Sequence, residues 1–236
     1  MNLLDIAVLA LFALFLLAGW YRGFVSTLLS IGAYILSALL AFLLMPLVSN
    51  GVKSSESLYN TMLYYTEGAE FVMDVNVELA RTPISSISTE QLNGVMAQVN
   101  VPHPIGARIT ENIATEAFAG QGVTTLGDYF NQTIVCVFIN ILSFLVLFAA
   151  FRLLMAFIIH LLDYAQGGYP VLHTADGLIG SGFGLIRGFL AMFILFTAVP
   201  IFMVVLPTIV TPFIQESFFG AFFYNSNFLL SLMPGV

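Results

Sequence analysis

Four long stretches of this chain carry almost no charge: residues 3–18, 24–48, 134–162 and 177–206. About 20 apolar residues cross the hydrocarbon of a bilayer as a helix, and a helix satisfies its own backbone there. That feature restricts the chain to a membrane class, and the rest of the composition agrees. Only 8% of the 236 residues are charged and 59% are hydrophobic, whereas a soluble domain carries about 25% charged residues. Much of the surface must therefore face lipid. The first stretch lacks the positive n-region of a signal peptide, and Gly19-Trp20-Tyr21-Arg22 is a poor cleavage site, so it reads as a retained span. A net charge of −7 with six Lys and Arg excludes nucleic acid as a partner. A single cysteine, Cys136, excludes an internal disulfide and a cysteine-based zinc cluster, and reads as a packed hydrophobe.

The pattern predicts an all-α polytopic membrane protein with about four transmembrane helices, an outer helical insert and an interfacial C-terminal helix. Its segments are a transmembrane helical hairpin at 1–48, an acidic extracytoplasmic insert at 49–131, a second hairpin at 132–206 and an amphipathic tail at 207–236. The insert holds nine acidic residues against Lys53, Arg81 and Arg108, and is too long for a plain loop. Ser88-Thr89-Glu90-Gln91 forms a capping-box pattern, and Thr125–Asp128 resembles a second cap leading into the third span. Ile109, Ile113 and Ala117 recur at helical spacing, and the two prolines of 101–106 break the chain before them. Pro200 predicts a kink near the end of the fourth span. The tail has six phenylalanines over 213–232, but Gln215, Glu216, Asn225, Ser226 and Asn227 would be costly in hydrocarbon. An interfacial helix fits it better than a fifth span.

The hexapeptide "GWYRGF" at 19–24 returns as "GLIRGF" at 184–189. Both copies begin segments that point the same way across the membrane, as in a parallel duplication. Gly180, Gly184 and Gly188 lie on one helix face, where they admit a neighbouring backbone. A packed helix is the preferred reading of 177–188, and a re-entrant segment is the alternative. Arg22 can snorkel to headgroups, but Arg152 and Arg187 sit deeper and need partners or water. Arg152, His160, Asp163 and His173 form the candidate intramembrane polar cluster. Its His-x-x-Asp spacing, shared by His173 and Asp176, could in principle hold zinc or iron, but helix-boundary polarity is the favoured reading and no metal or cofactor is expected. Asp5 opens the first span and is read as solvated or as capping that helix. With Arg22, Arg152 and Arg187 on one side, the positive-inside rule places them in the cytoplasm and puts both termini and 49–131 outside.

Residues 4–34 resemble the N-terminal signature of the colicin V production (CvpA) family of bacterial inner-membrane proteins: an early aspartate, an apolar span, then Arg-Gly-Phe opening a second span. Asp5, Arg22, Gly23 and Phe24 match it. Residues 175–195 resemble the family's second signature through Asp176, Gly180, Phe183, Gly184, Arg187 and Gly188. The resemblance covers a little over half the chain. It implies a small polytopic protein of the cytoplasmic membrane, associated with colicin V production or export and with envelope integrity, and it implies no catalytic residue. Many members join spans two and three by a short loop, so the long insert is a departure.

The leading reading is a non-enzymatic membrane protein supporting toxin production, export or envelope homeostasis. Its partners would be the bilayer, a second copy through the glycine-striped helices, and an extracytoplasmic protein at 49–131. An oligomeric channel or transporter for a small solute or anion is the alternative. An intramembrane enzyme built on the His/Asp pairs is the third reading; no Ser-His-Asp set, phosphate-cradling loop or HExxH motif supports it.

Overall fold

The computed structural model describes residues 2–165 and 175–236, with the side chains of 162–165 and 175–176 outside that description. Among the described residues the fold is all-helical. The helices are α1 (Leu3–Lys53), α2 (Glu56–Thr66), α3 (Glu70–Met73), α4 (Val77–Ala80), α5 (Thr89–Gln98), α6 (Ile105–Ala114), α7 (Leu126–Ala165), α8 (Ala175–Phe196), α9 (Val199–Val205), α10 (Pro207–Gln215), α11 (Phe218–Asn225) and α12 (Phe228–Leu232). Three helical stretches are long and apolar enough to cross a membrane: Leu3–Lys53, Leu126–Leu161 and Gly177–Val205. The chain forms two compact units. One comprises Met1–Pro46, Ser143–Ala198 and Val210–Asn227, the other Leu47–Leu142, Val199–Ile209 and Phe228–Val236.

A straight helix as long as α1, with 51 residues, would reach about 77 Å, far more than the roughly 30 Å of hydrocarbon. It does not run straight. Gly23 has φ 75° and ψ 176°, a conformation closed to residues with a Cβ. The neighbours reverse direction there. Before Gly23, α8 residues Gly180, Gly184 and Gly188 meet Gly19, Phe15 and Phe12 in descending order, an antiparallel pairing. After it, Phe24 meets Phe183 and Ser30 meets Arg187, a parallel pairing. The tight link expected between the first two spans is thus one glycine, and α1 supplies two membrane arms, 3–22 and 24–53. The second arm continues through Pro46, where the sequence pattern placed its end.

In the first unit, leucines such as Leu14, Leu17, Leu29, Leu36 and Leu43 point outward, as a lipid-facing wall requires. Between apolar helices in lipid there is no hydrophobic driving force, so close packing and polar contacts must hold the arms together. The tail takes part. Phe223 of α11 is fully buried and its ring lies within 5.4–6.0 Å of those of Phe12, Phe189, Phe193 and Phe196. Instead of one interfacial helix the tail forms three short ones. Ser217 caps α11 by accepting the Gly220 N–H at 2.8 Å, which starts a new helix after a break. The break before Pro200 falls at Thr197–Ala198, between α8 and α9.

The second unit is built round the start of α7. Tyr129, Phe130, Ile134, Val135, Val137, Ile139 and Ile141 are all at most 1% exposed. A helix apolar on every face must be enclosed, and here the insert encloses it. Gly68 lies against Phe130 and Ile134, Gly127 against Ala80, and the Asn131 side chain accepts the Ala69 N–H at 2.6 Å. The chain at 82–84 pairs with 124–126 through Ile84 N–H to Thr124 O at 2.9 Å and Leu126 N–H to Thr82 O at 3.0 Å. Residues 134–142, read from sequence as the start of the third span, therefore pack with the insert. The expected caps form: Ser88 and Gln91 make a reciprocal capping box, and Thr125 pairs with Asp128 at 2.6 Å. Ile109 is fully buried on α6 and Ile113 packs on the Phe118, Tyr129 and Cys136 cluster, while Ala117 lies past the helix end.

Candidate functional site

Most of the residues singled out in sequence fall in the first unit, and three groups of contacts organise them. The first is a glycine seam. A Cβ added at Gly180 would stand 2.5 Å from Gly19 O and 2.9 Å from the Gly23 carbonyl carbon, and one at Gly184 would strike Phe15 O. Gly188 lies under the Phe12 and Phe15 rings. The stripe on α8 is occupied by the chain's own first arm, backbone against backbone. This region is a packed helix rather than a re-entrant turn. Phe24 and Phe183 close its lower end, ring centroids 5.0 Å apart and edge to face.

The second group gathers the deep arginines. Arg187 on α8 is 6% exposed and donates Nη1 to Ser30 Oγ at 3.3 Å, with its guanidinium 4.9 Å from the Phe15 ring centre. Arg152 on α7 donates Nη2 to the same Ser30 oxygen at 3.2 Å and lies 4.6 Å from the Tyr34 ring centre. Two cations thus converge on one neutral hydroxyl, which has two lone pairs to offer. Each keeps an unpartnered buried nitrogen, Nε of Arg187 and Nη1 of Arg152. Among the described residues the side-chain ion pair is Arg108–Glu111, so neither guanidinium has a carboxylate partner. Exposed Arg22, just before the reversal at Gly23, adds like charge within electrostatic reach of Arg187.

The third group is the Asp5 latch. Asp5 is fully buried. One carboxylate oxygen accepts from the Asn2 N–H at 2.9 Å, while Asn2 Oδ1 accepts from Leu4 and Asp5 N–H, a reciprocal cap on α1. The other oxygen accepts from Ser217 Oγ at 2.7 Å and from the Phe219 N–H at 2.9 Å, at the start of α11. The expectation that Asp5 caps its own helix holds. The expectation that it is solvated does not, because the tail covers it and supplies donors in place of water. Asn227 adds a second polar tie, donating to Phe193 O at 2.9 Å.

His160 is exposed, eight residues along α7 from Arg152, or about 12 Å, and stands apart from the arginines. The side chains of Asp163 and Asp176, and the whole of His173, lie outside the described residues. No group of three or more His, Cys, Asp and Glu side chains gathers among the described residues. Sequence reasoning missed Ser30, although a signal existed. Thr27, Ser30, Tyr34 and Ser37 recur at intervals of three and four on an apolar arm, and Thr27, Ser30 and Ser37 are buried. Within that stripe Ser30 meets α7 and α8, and Tyr34 meets α7.

In the second unit, burial raises the Tyr59 phenol well above its usual range, and its O–H donates to Gln132 Oε1 at 2.5 Å. Asn140 accepts from Lys53 Nζ at 3.1 Å and donates to Pro234 O and Val236 O. Buried Asn112 likewise joins Thr133 to Gly235 O.

A family model described as colicin V production protein matches residues 4–73 and 113–227. The match takes in the three contact groups except Asn2, and both flanks of the insert, leaving 74–112 unmatched inside it. No curated protein and no solved structure matches the chain.

Proposed function

Because the chain belongs to the colicin V production protein family, we propose that it is a non-enzymatic protein of the bacterial cytoplasmic membrane that supports peptide-toxin production or export, or envelope homeostasis. The supporting observation is what the motif residues do. Gly180, Gly184 and Gly188 seat one backbone on another, Gly23 reverses the chain and Phe24 packs on Phe183. These are the duties of a scaffold. In this reading the insert offers a protein partner its surface outside the membrane. Any self-association uses faces other than the glycine stripe, which is already filled. The positive-inside rule supports a reading in which the end that carries Arg22, Arg152 and Arg187 faces the cytoplasm, and both termini and 49–131 lie outside.

The test is a bacterial strain lacking the gene, complemented with the wild type, Gly184→Leu or His160→Ala, and scored for secretion of a colicin-type peptide and for detergent sensitivity. The wild type and His160→Ala should restore at least one phenotype and Gly184→Leu neither. Restoration of nothing by the wild type overturns the functional reading, and selective loss with a folded His160→Ala protein overturns its non-enzymatic part. Thiol labelling in intact cells, with Cys136 replaced by Ala and single cysteines at Ser57, Ser88 or His160, tests orientation. Ser57 and Ser88 should label and His160 should not.

A further inference from the structure

Arg187 and Arg152 hold their nearest nitrogens within two hydrogen-bond lengths of each other, through one shared serine. Like charges that close repel by roughly 2–3 kcal/mol at an effective dielectric of about 20. A guanidinium in hydrocarbon also needs a partner or water. The serine neutralises neither cation. Asp163 and Asp176 each stand eleven residues away along α7 and α8, about 16 Å, beyond contact within those helices. What remains open is specific: the buried Nε of Arg187 and the buried Nη1 of Arg152, two N–H donors on planar cations beside one hydroxyl. Planar forks matched to two oxygens of one anion are how arginine recognises phosphate. The site also lies toward one end of the arms. Ser30 lies seven residues past the reversal at Gly23, about 10 Å along the arm. Exposed Arg22 stands at the reversal itself and draws anions toward that end.

We propose that Arg152, Arg187 and Ser30 form a binding site for one phosphate oxyanion, which supplies the counter-charge that the described side chains lack. The phosphate is either the headgroup of a membrane lipid or a free phosphate from solution. A headgroup phosphodiester offers two unesterified oxygens, one for each guanidinium, and leaves its acyl chains along the apolar outer wall of the arms. Free phosphate satisfies the same donors with oxygens to spare.

The full chain, purified in mild detergent, is tested in two arms. Native mass spectrometry after addition of phosphatidylglycerol reads lipid retention. Thermal unfolding of lipid-stripped protein with and without inorganic phosphate, matched for ionic strength with chloride, reads the free anion. Phosphorus NMR of the wild type reports an immobilised phosphate in either case. One retained phosphatidylglycerol assigns the site to a headgroup, and a phosphate-dependent rise in midpoint without lipid retention assigns it to the free ion. In either case Arg187→Gln should weaken binding about ten- to hundredfold, and Arg81→Gln, in the insert, should leave it unchanged. Should Arg187→Gln fail to fold, partly exposed Arg152→Gln gives the same readout. Wild-type protein that neither retains the lipid nor responds to phosphate overturns the proposal, as does equal binding by the folded Arg152→Gln and Arg187→Gln proteins.

Discussion

Replacing Gly184 by alanine adds one methyl group at the point where α8 lies against the first arm of α1. The new Cβ would collide with Phe15 O and sit 3.2 Å from the Gly19 Cα and from the Phe15 carbonyl carbon. Backbone atoms cannot rotate aside, and carbon-to-oxygen contacts prefer about 3.3–3.6 Å, so the helices must part by roughly 1 Å. A gap of that size forfeits about a quarter to a half of each atomic contact, worth about 0.1–0.2 kcal/mol apiece. For a seam with on the order of 40 such contacts the loss is about 1–4 kcal/mol. Alanine returns up to about 1 kcal/mol through helix propensity. Gly182 supplies the control. It lies on the same helix with nothing within 4 Å of an added Cβ, so Gly182→Ala keeps the propensity gain without the clash. Unfolding in mixed micelles with rising dodecyl sulfate can be followed through Trp20, the single tryptophan, whose ring lies 3.4 Å from a Cβ placed on Gly177. The expected order of midpoints is Gly182→Ala above wild type above Gly184→Ala. A Gly184→Ala midpoint at or above that of Gly182→Ala refutes the backbone-to-backbone seam.

Asp5→Asn should weaken the charge-assisted bonds from Ser217 and Phe219 by about 2–3 kcal/mol; amide exchange over 219–224 then quickens about thirtyfold or more, and unchanged exchange there denies the latch. Ser88→Ala removes the hydroxyl that accepts the Gln91 N–H in the capping box at a cost of about 1 kcal/mol; exchange in α5 should rise about fivefold while α8 stays as it was. Glu70 is held above the usual carboxylate range chiefly by a hydrogen bond and repulsion from Glu67, so the folded state holds its proton more tightly than the unfolded one. The resulting stability is present at low pH and lost as pH rises through the raised value; corrected for intrinsic rates, exchange over 69–76 should quicken on that rise in the wild type and much less in Glu67→Gln.

The membrane class, the tight link at Gly23 and both helix caps were legible because each depends on residues close together in sequence. Asp5 was only half legible. Its cap on α1 lies three residues away, whereas Ser217 lies 212 residues away and carries no mark of the pairing. The start of α7 was half legible for a different reason. It lies in a helix long and apolar enough to span a membrane, but a stretch apolar on every face looks the same whether lipid or protein surrounds it, so its packing against the insert left no mark in the sequence. The tail's breaks at Ser217 and Asn227 had local signals, a serine before Gly220 and an asparagine between aromatic runs, but hydrophobicity outweighed them. Ser30 was overlooked because a lone serine in an apolar helix is unremarkable. Only the recurrence of Thr27, Ser30, Tyr34 and Ser37 at helical intervals marks a buried face.

The repeated hexapeptide now has a physical account that does not require duplicated conformations. In the first copy Gly23 has positive φ and reverses the chain, leaving Arg22 exposed. In the second copy the helix runs on through Gly188, Arg187 is buried, and Phe189 meets Phe12 with ring centroids 4.9 Å apart. The same residue types therefore occupy different conformations. What the copies share is the seam, since their leading glycines, Gly19 and Gly184, press against each other. At Gly19 and Gly184 the two backbones touch, and a Cβ on either would strike the other helix. Each arginine then has a separate assignment, Arg22 to the exposed reversal and Arg187 to the shared serine. Reciprocal packing is sufficient to explain the matched glycines, and the two arginines are distinguished by what each can reach.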